Sequence, residues 1–139
     1  MIFVDLLQAA QTAVFAALEP ITYDITMPTG IQVLQHVPEG TVPPFVRIGH
    51  ITSDNQTDMD DEQHEEITVE IHCVYLGEAR WPLLAMMAAV RSHLQGQSLT
   101  AAGAGFETPC FVKAEAGGAI ADGVTYVGIS IFKFHAWPG

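Results

Sequence analysis

Four side chains have the types and spacing to grip a cation: His64, Glu66, Glu70 and His72. Ile67, Val69, Ile71, Cys73 and Tyr75 alternate with Thr68, Glu70, His72 and Val74, the period of a strand with one buried and one polar face. Even-numbered side chains then point the same way, so His64, Glu66, Thr68, Glu70 and His72 share the polar face. Ligands two apart on a strand can converge on one ion. His64 and His72, however, are separated by most of a strand length and do not meet. The spacing therefore predicts a polar strand face turned to solvent or to a partner, and no metal ligand is assigned.

A second cluster is acidic. Asp54, Asp58, Asp60, Asp61 and Glu62 fall within SDNQTDMDDEQHEE, residues 53–66. An EF-hand loop needs carboxylates at alternate positions and a glycine at the sixth. Counted from Asp54, the third residue is Gln56 and the sixth Met59. Counted from Asp58, the sixth is Gln63. Neither register fits, and the stretch is expected to be an exposed loop or arm, too hydrophilic to pack.

Nucleophile and nucleotide machinery is missing: there is no G-x-S-x-G elbow, P-loop, H-E-x-x-H or strand-linked G-x-G-x-x-G. Cys73 falls on the apolar side of its strand, the place for an inert buried thiol. Gly103-Ala104-Gly105 reads as a turn. Cys73 and Cys110 form no C-x-x-C pair and are expected to be two small buried hydrophobes in a reducing compartment, without a disulfide. No catalytic residue and no cofactor are assigned, and no enzyme is expected.

The elements that must position these residues follow from periodicity. Asp5 precedes Leu6, Leu7, Ala10, Val14 and Leu18 at helical spacing, and Glu19-Pro20 ends that helix. Residues 21–44, rich in Pro and Gly, read as a loop with a short strand near 31–35. Phe45 to Thr52 is a strand launched by Pro43-Pro44. After the strand through Tyr75, Trp81 to Leu94 (WPLLAMMAAVRSHL) predicts a helix with Pro82 in its first turn and Gly96 as a left-handed cap. Residues 111–115 and 124–137 are β-rich. The order α-β-β-α-β-β predicts one α+β domain over 1–139, an antiparallel or mixed sheet with two helices packed on it.

The 81–94 helix is apolar on nearly every side. Leu83, Met87, Val90 and Leu94 form one stripe, and Leu84, Ala85, Met86, Ala88 and Ala89 fill most of the rest. One sheet covers one side of a helix, so the remainder must meet a second helix or another copy of the chain.

Composition narrows the functional classes. The chain has 139 residues with 16 acidic and 5 basic side chains, formal net charge −11, and 49% hydrophobic residues. That supplies a core and argues against disorder. It also argues against nucleic-acid binding through phosphate neutralisation, because so few cations build no basic patch. The apolar N-terminus carries no Lys or Arg before Arg47. It reads as neither a secretory signal nor a membrane span, and a soluble, unprocessed protein is expected.

Several stretches together resemble the tail-terminator or tail-completion proteins of long-tailed bacteriophages and gene transfer agents. They are LLQAAQTAVFAAL; PPFVRIGHITSD with its polar loop; ITVEIHCVYL running into GEARWPLLAMMAAVRSHLQG; and GVTYVGISIFKFHA. The resemblance spans nearly the whole chain and lies in the order of the segments. It implies a structural virion protein, assembled in the host cytoplasm and placed at the neck of the tail, that forms a homohexameric ring on the tail tube. Such a ring ends tube polymerisation and meets the head-tail connector or stopper protein. DNA passes through its lumen without specific binding, and no membrane is involved. A closed ring needs two unlike contact surfaces on each subunit. Leu84, Met87, Ala88 and Arg91 of the apolar helix and Phe132 and Phe134 of the last strand are the interface candidates. Asp54, Asp58, Asp60, Asp61 and Glu62 would face a partner or the lumen. The competing readings are a head-completion ring of the same particle, a small metal-dependent enzyme or ligand-binding domain using His64, Glu66, Glu70 and His72, and a dimeric binding module.

Overall fold

The computed structural model describes residues 4–20, 32–35, 41, 43–56 and 63–139. Among these the order is α1 (Leu6–Leu18), β1 (Gln32–Leu34), β2 (Phe45–Asn55), β3 (Glu65–Leu76), α2 (Trp81–Leu94), β4 (Ala104–Phe106), β5 (Cys110–Ala116) and β6 (Thr125–Pro138). The strands form one sheet in the order β1-β2-β3-β6-β4, with β5 also paired to β6. Every pairing is antiparallel except β1 with β2, which is parallel. The α+β class and the mixed sheet are as the sequence predicts.

Both helices have the bounds their periodicity indicates. Asp5 caps α1 by accepting the Gln8 backbone N–H at 3.0 Å, which satisfies one of the donors a helix N-terminus leaves free. Pro82 sits in the first turn of α2, where a missing N–H is harmless. Past its C-terminus Gly96 has φ +70°, a conformation that costs glycine little.

Alternation along β3 is strict: Ile67, Val69, Ile71 and Cys73 are fully buried, and the residues between them are half-exposed. Cross-strand register places Ile67 opposite Phe134 and Val69 opposite Phe132. The buried faces of β2, β3 and β6 meet Leu6, Ala10, Val14 and Leu18 of α1 and Leu83, Met86, Met87, Val90 and Leu94 of α2 in one core. Each fully buried Leu, Ile, Phe or Met side chain there contributes about 1.5–3 kcal/mol relative to exposure. Under α2 the sheet is built of small residues, with Gly128 opposite Cys73. A Cβ on Gly128 would collide with the Met87 sulfur. The glycine is what lets α2 lie this close.

Three expectations are corrected. The acidic stretch is not one loop. Its ends belong to a long hairpin, with Ser53, Asp54 and Asn55 paired to Ile67, Glu66 and Glu65 and the Gln56 N–H donating to the His64 carbonyl at 2.7 Å. Gln63 is tied to the chain's start, its amide bonding Val4 N and Val4 O at 3.1 and 2.8 Å. Polar sequence is no bar to a ladder, because backbone groups make it. Second, Gly103-Ala104-Gly105 is not simply a turn: Gly103 turns at φ +79° and Ala104 opens β4, pairing with Pro138. Third, Cys110 is exposed, and only Cys73 is buried. Both thiols are free.

Candidate functional site

Among the described residues no element covers the side of the sheet away from the helices. Down its centre Val74, Val127, Ile129 and Ile131 form a half-exposed apolar strip, brought together by the pairing of β3 with β6. Two polar groups border it. On one side His72 accepts from the Arg47 guanidinium at Nδ1, 2.9 Å away, and its Nε2 lies 3.4 Å from a Glu70 carboxylate oxygen. Arginine has no acceptor, so the Arg47 guanidinium is the donor to Nδ1 and Nε2 is left directed at Glu70. Beyond the end of the strip, on the same two strands, His64 Nε2 lies 2.8 Å from His135 Nδ1. Glu66 completes that group, 3.4 Å from His135 Nε2 and 3.7 Å from Lys133 Nζ.

Thus the four residues read from sequence as conceivable cation ligands divide into two pairs. Glu70 and His72 belong to one group, and His64 and Glu66 to the other. Eight residues of strand put His64 about 26 Å from His72. Among the described residues no three His, Cys, Asp or Glu side chains are gathered to hold a metal ion. Arg47, Lys133 and His135 went unread in the sequence, because only the β2–β3 and β3–β6 registers bring them to these groups. The Cys73 thiol is no nucleophile either: burial pushes its pKa up to about 12.

Beside the β5–β6 connection a groove of about 410 Å³ is lined by Glu115, Ala116, Gly117, Gly118, Ile120, Val127 and Ile129. Ile120 projects from its rim, 53% exposed. The groove contains a single carboxylate and no partner for general acid–base chemistry.

The second exposed surface is α2. Core packing takes Leu83, Met86, Met87, Val90 and Leu94, and α1 lies alongside, so a second helix meets part of the apolar circumference as expected. What is left outside is Trp81, Leu84, Ala88 and Arg91, at spacings of three and four. Trp81 is 59% and Leu84 48% exposed. Of the interface candidates, Leu84, Ala88 and Arg91 are therefore exposed. Met87, Phe132 and Phe134 are not: they are core residues, because parity turns 132 and 134 towards the helices and Met87 fills the space over Gly128. Asp54 is exposed on β2, and Asp58, Asp60, Asp61 and Glu62 lie outside the described residues. Among the described residues no helix is long and apolar enough to cross a membrane.

Two exposed faces, the open side of the sheet and the outer side of α2, thus carry apolar strips. The comparisons identify which contacts are at issue. The family described as Tail completion protein gp17 matches residues 12–134, and the chain belongs to that family. It is a structural protein of a phage-type tail and not an enzyme. Curated protein sequences give no match. Among solved structures, a chain in "Virion of native gene transfer agent (GTA) particle" has the same fold. Its TM-score is 0.81 at 19% identity, over 97% of this chain and 99% of that one.

Proposed function

We propose that this protein caps the tail tube as a ring, ends tube polymerisation and forms the joint to the head connector. The observation that carries the reading is coverage. The tail-completion family spans residues 12–134, and the fold of a chain from a gene transfer agent virion is reproduced over nearly its whole length. The neighbours in the particle would be the tube protein on one side and the connector or stopper on the other, and copies of this chain around the ring.

The acidic surface accords with that position. At net charge −11, a lumen lined by this chain repels the DNA backbone, so DNA slides without sticking.

Particle assembly without the protein tests the proposal. Tails of irregular and excessive length, unattached to heads, are the expected result, and the purified protein added back restores joining. Tails of normal length beside heads that leak DNA would move the protein to head completion instead. Normal particles would sink both.

A further inference from the structure

The outer face of α2 differs electrostatically from the rest of the molecule. The chain has 16 acidic residues and 5 basic ones, yet α2 carries no Asp or Glu. Three of the five cations are engaged on the open sheet face: Arg47 with His72, Lys113 with Glu115 at 3.1 Å and Lys133 with Glu66 at 3.7 Å. The other two, Arg80 and Arg91, flank the exposed helix stripe, about 16 Å apart along its axis. Among the described residues neither reaches a carboxylate. Arg91 is held in place without one, its guanidinium carbon 3.8 Å from the centre of the Phe111 ring and its Nε donating to Gln95 Oε1 at 2.6 Å. An exposed Trp and Leu between two exposed, carboxylate-free arginines, one of them held in place, combine the residue types that anchor protein interfaces.

We propose that this face, Trp81, Leu84 and Ala88 between Arg80 and Arg91, docks on a carboxylate-bearing surface of a second copy of this chain. The occupant follows from charge. Every carboxylate of the chain lies off α2, and an identical neighbour carries carboxylates on β2, β3, β5 and the β5–β6 connection. Two α2 faces brought together would oppose arginine to arginine, so the contact is head-to-tail, the kind that closes rings. The inference rests on the ring reading above and specifies one of the two surfaces that a ring requires.

Sedimentation of the purified chain up to about 1 mM, with folding of each variant checked by circular dichroism, decides it. The wild type is expected to self-associate. Arg80→Glu with Arg91→Glu should weaken association by about 30-fold or more, as loss of an interface anchor does. Trp81→Ser with Leu84→Ser, both exposed and so harmless to the core, should do the same without altering charge. Gln8→Glu with Thr12→Glu, exposed on α1 and part of neither contact face, lowers net charge from −11 to −13 and should leave association within about threefold of wild type. Weakening by this pair equal to that of the arginine reversals would overturn the inference, as would a monomeric wild type or unaffected helix variants. Helix variants that still associate while particles lacking the protein make overlong tails would reject α2 and leave the terminator reading standing.

Discussion

The Arg91 guanidinium lies over the Phe111 ring at 3.8 Å, and Phe111 in turn meets Phe132 edge-on with ring centroids 5.7 Å apart. This stack links α2, the edge strand β5 and the central strand β6. It also holds Arg91 straight, so that lost side-chain freedom is spent on folding before any partner arrives.

The stack should be visible as an energetic coupling. A cation–π contact at a partly exposed site is worth about 0.5–1 kcal/mol. In a cycle of Arg91→Ala, Phe111→Ala and the double variant, urea unfolding at protein concentrations below association should return a coupling of about that size. Strict additivity would mean that the contact holds nothing together.

Met87 of α2 packs directly on Gly128 of β6. Gly128→Ala should destabilise by about 1–3 kcal/mol, the range for overpacking. Shortening the methionine should relieve the clash, so Gly128→Ala with Met87→Ala should cost less than the sum of the two changes. Met87→Asp buries a carboxylate without a partner, and a loss on the order of 3–5 kcal/mol is expected. A Met87→Asp protein with wild-type unfolding would show that the position is not core. The prediction concerns folding rather than association, because Met87 is 7% exposed in the single chain.

The β5–β6 connection has its own acid-sensitive element. The Asp122 carboxylate accepts the Val124 and Thr125 backbone N–H groups at 2.9 and 2.8 Å and the Thr125 hydroxyl at 2.5 Å. The Thr125 hydroxyl first, and then these backbone donors, hold its pKa below the ordinary 3.8. A depressed carboxyl stabilises the fold above its unfolded pKa, and that contribution disappears as pH falls through the native value. Asp122→Asn should therefore flatten the fall in stability below 3.8, and differ little in slope from wild type above it. The urea midpoint followed from pH 7 downward in both proteins is the check. An identical acid limb in the variant would remove Asp122 from the account.

Local pattern gave away what local physics decides. Residues 67–75 alternate because one side of β3 meets two helices and the other meets none, and Asp5, Pro82 and Gly96 mark helix ends by their backbone chemistry. The residues that escaped are those whose role depends on pairing across strands. Nothing adjacent in sequence joins His135 to Glu66 or Arg47 to His72. Two of the interface candidates were misplaced for a related reason. Phe132 and Phe134 look sticky in a β-rich run, but whether even or odd positions face the core is fixed by register with β3, and even faces inward. In α2 the outer stripe is a residue of subtraction, legible once core, sheet and α1 have taken their share. The acidic hairpin misled because side-chain polarity says little about a backbone ladder.

That ladder also sets where the acidic arm can be cut. Gln56 and His64 are still bonded at 2.7 Å, and Gln63 fastens this end of the hairpin to Val4. Deleting from Asn55 would remove a rung paired to Glu65, whereas deleting residues 57–62 and closing the gap with Asn-Gly leaves every described rung in place. Those six residues hold four carboxylates and no cation, so their loss moves net charge from −11 to −7. We expect the shortened chain to fold with an unchanged urea midpoint and to impair the joining of tails to heads, because a segment this rich in carboxylates is suited to a partner or to the lumen. Unfolding of the variant would mean that the segment serves the fold. Fully infectious or transfer-competent particles would mean that tail and head meet through other surfaces, with the open sheet face the next to examine.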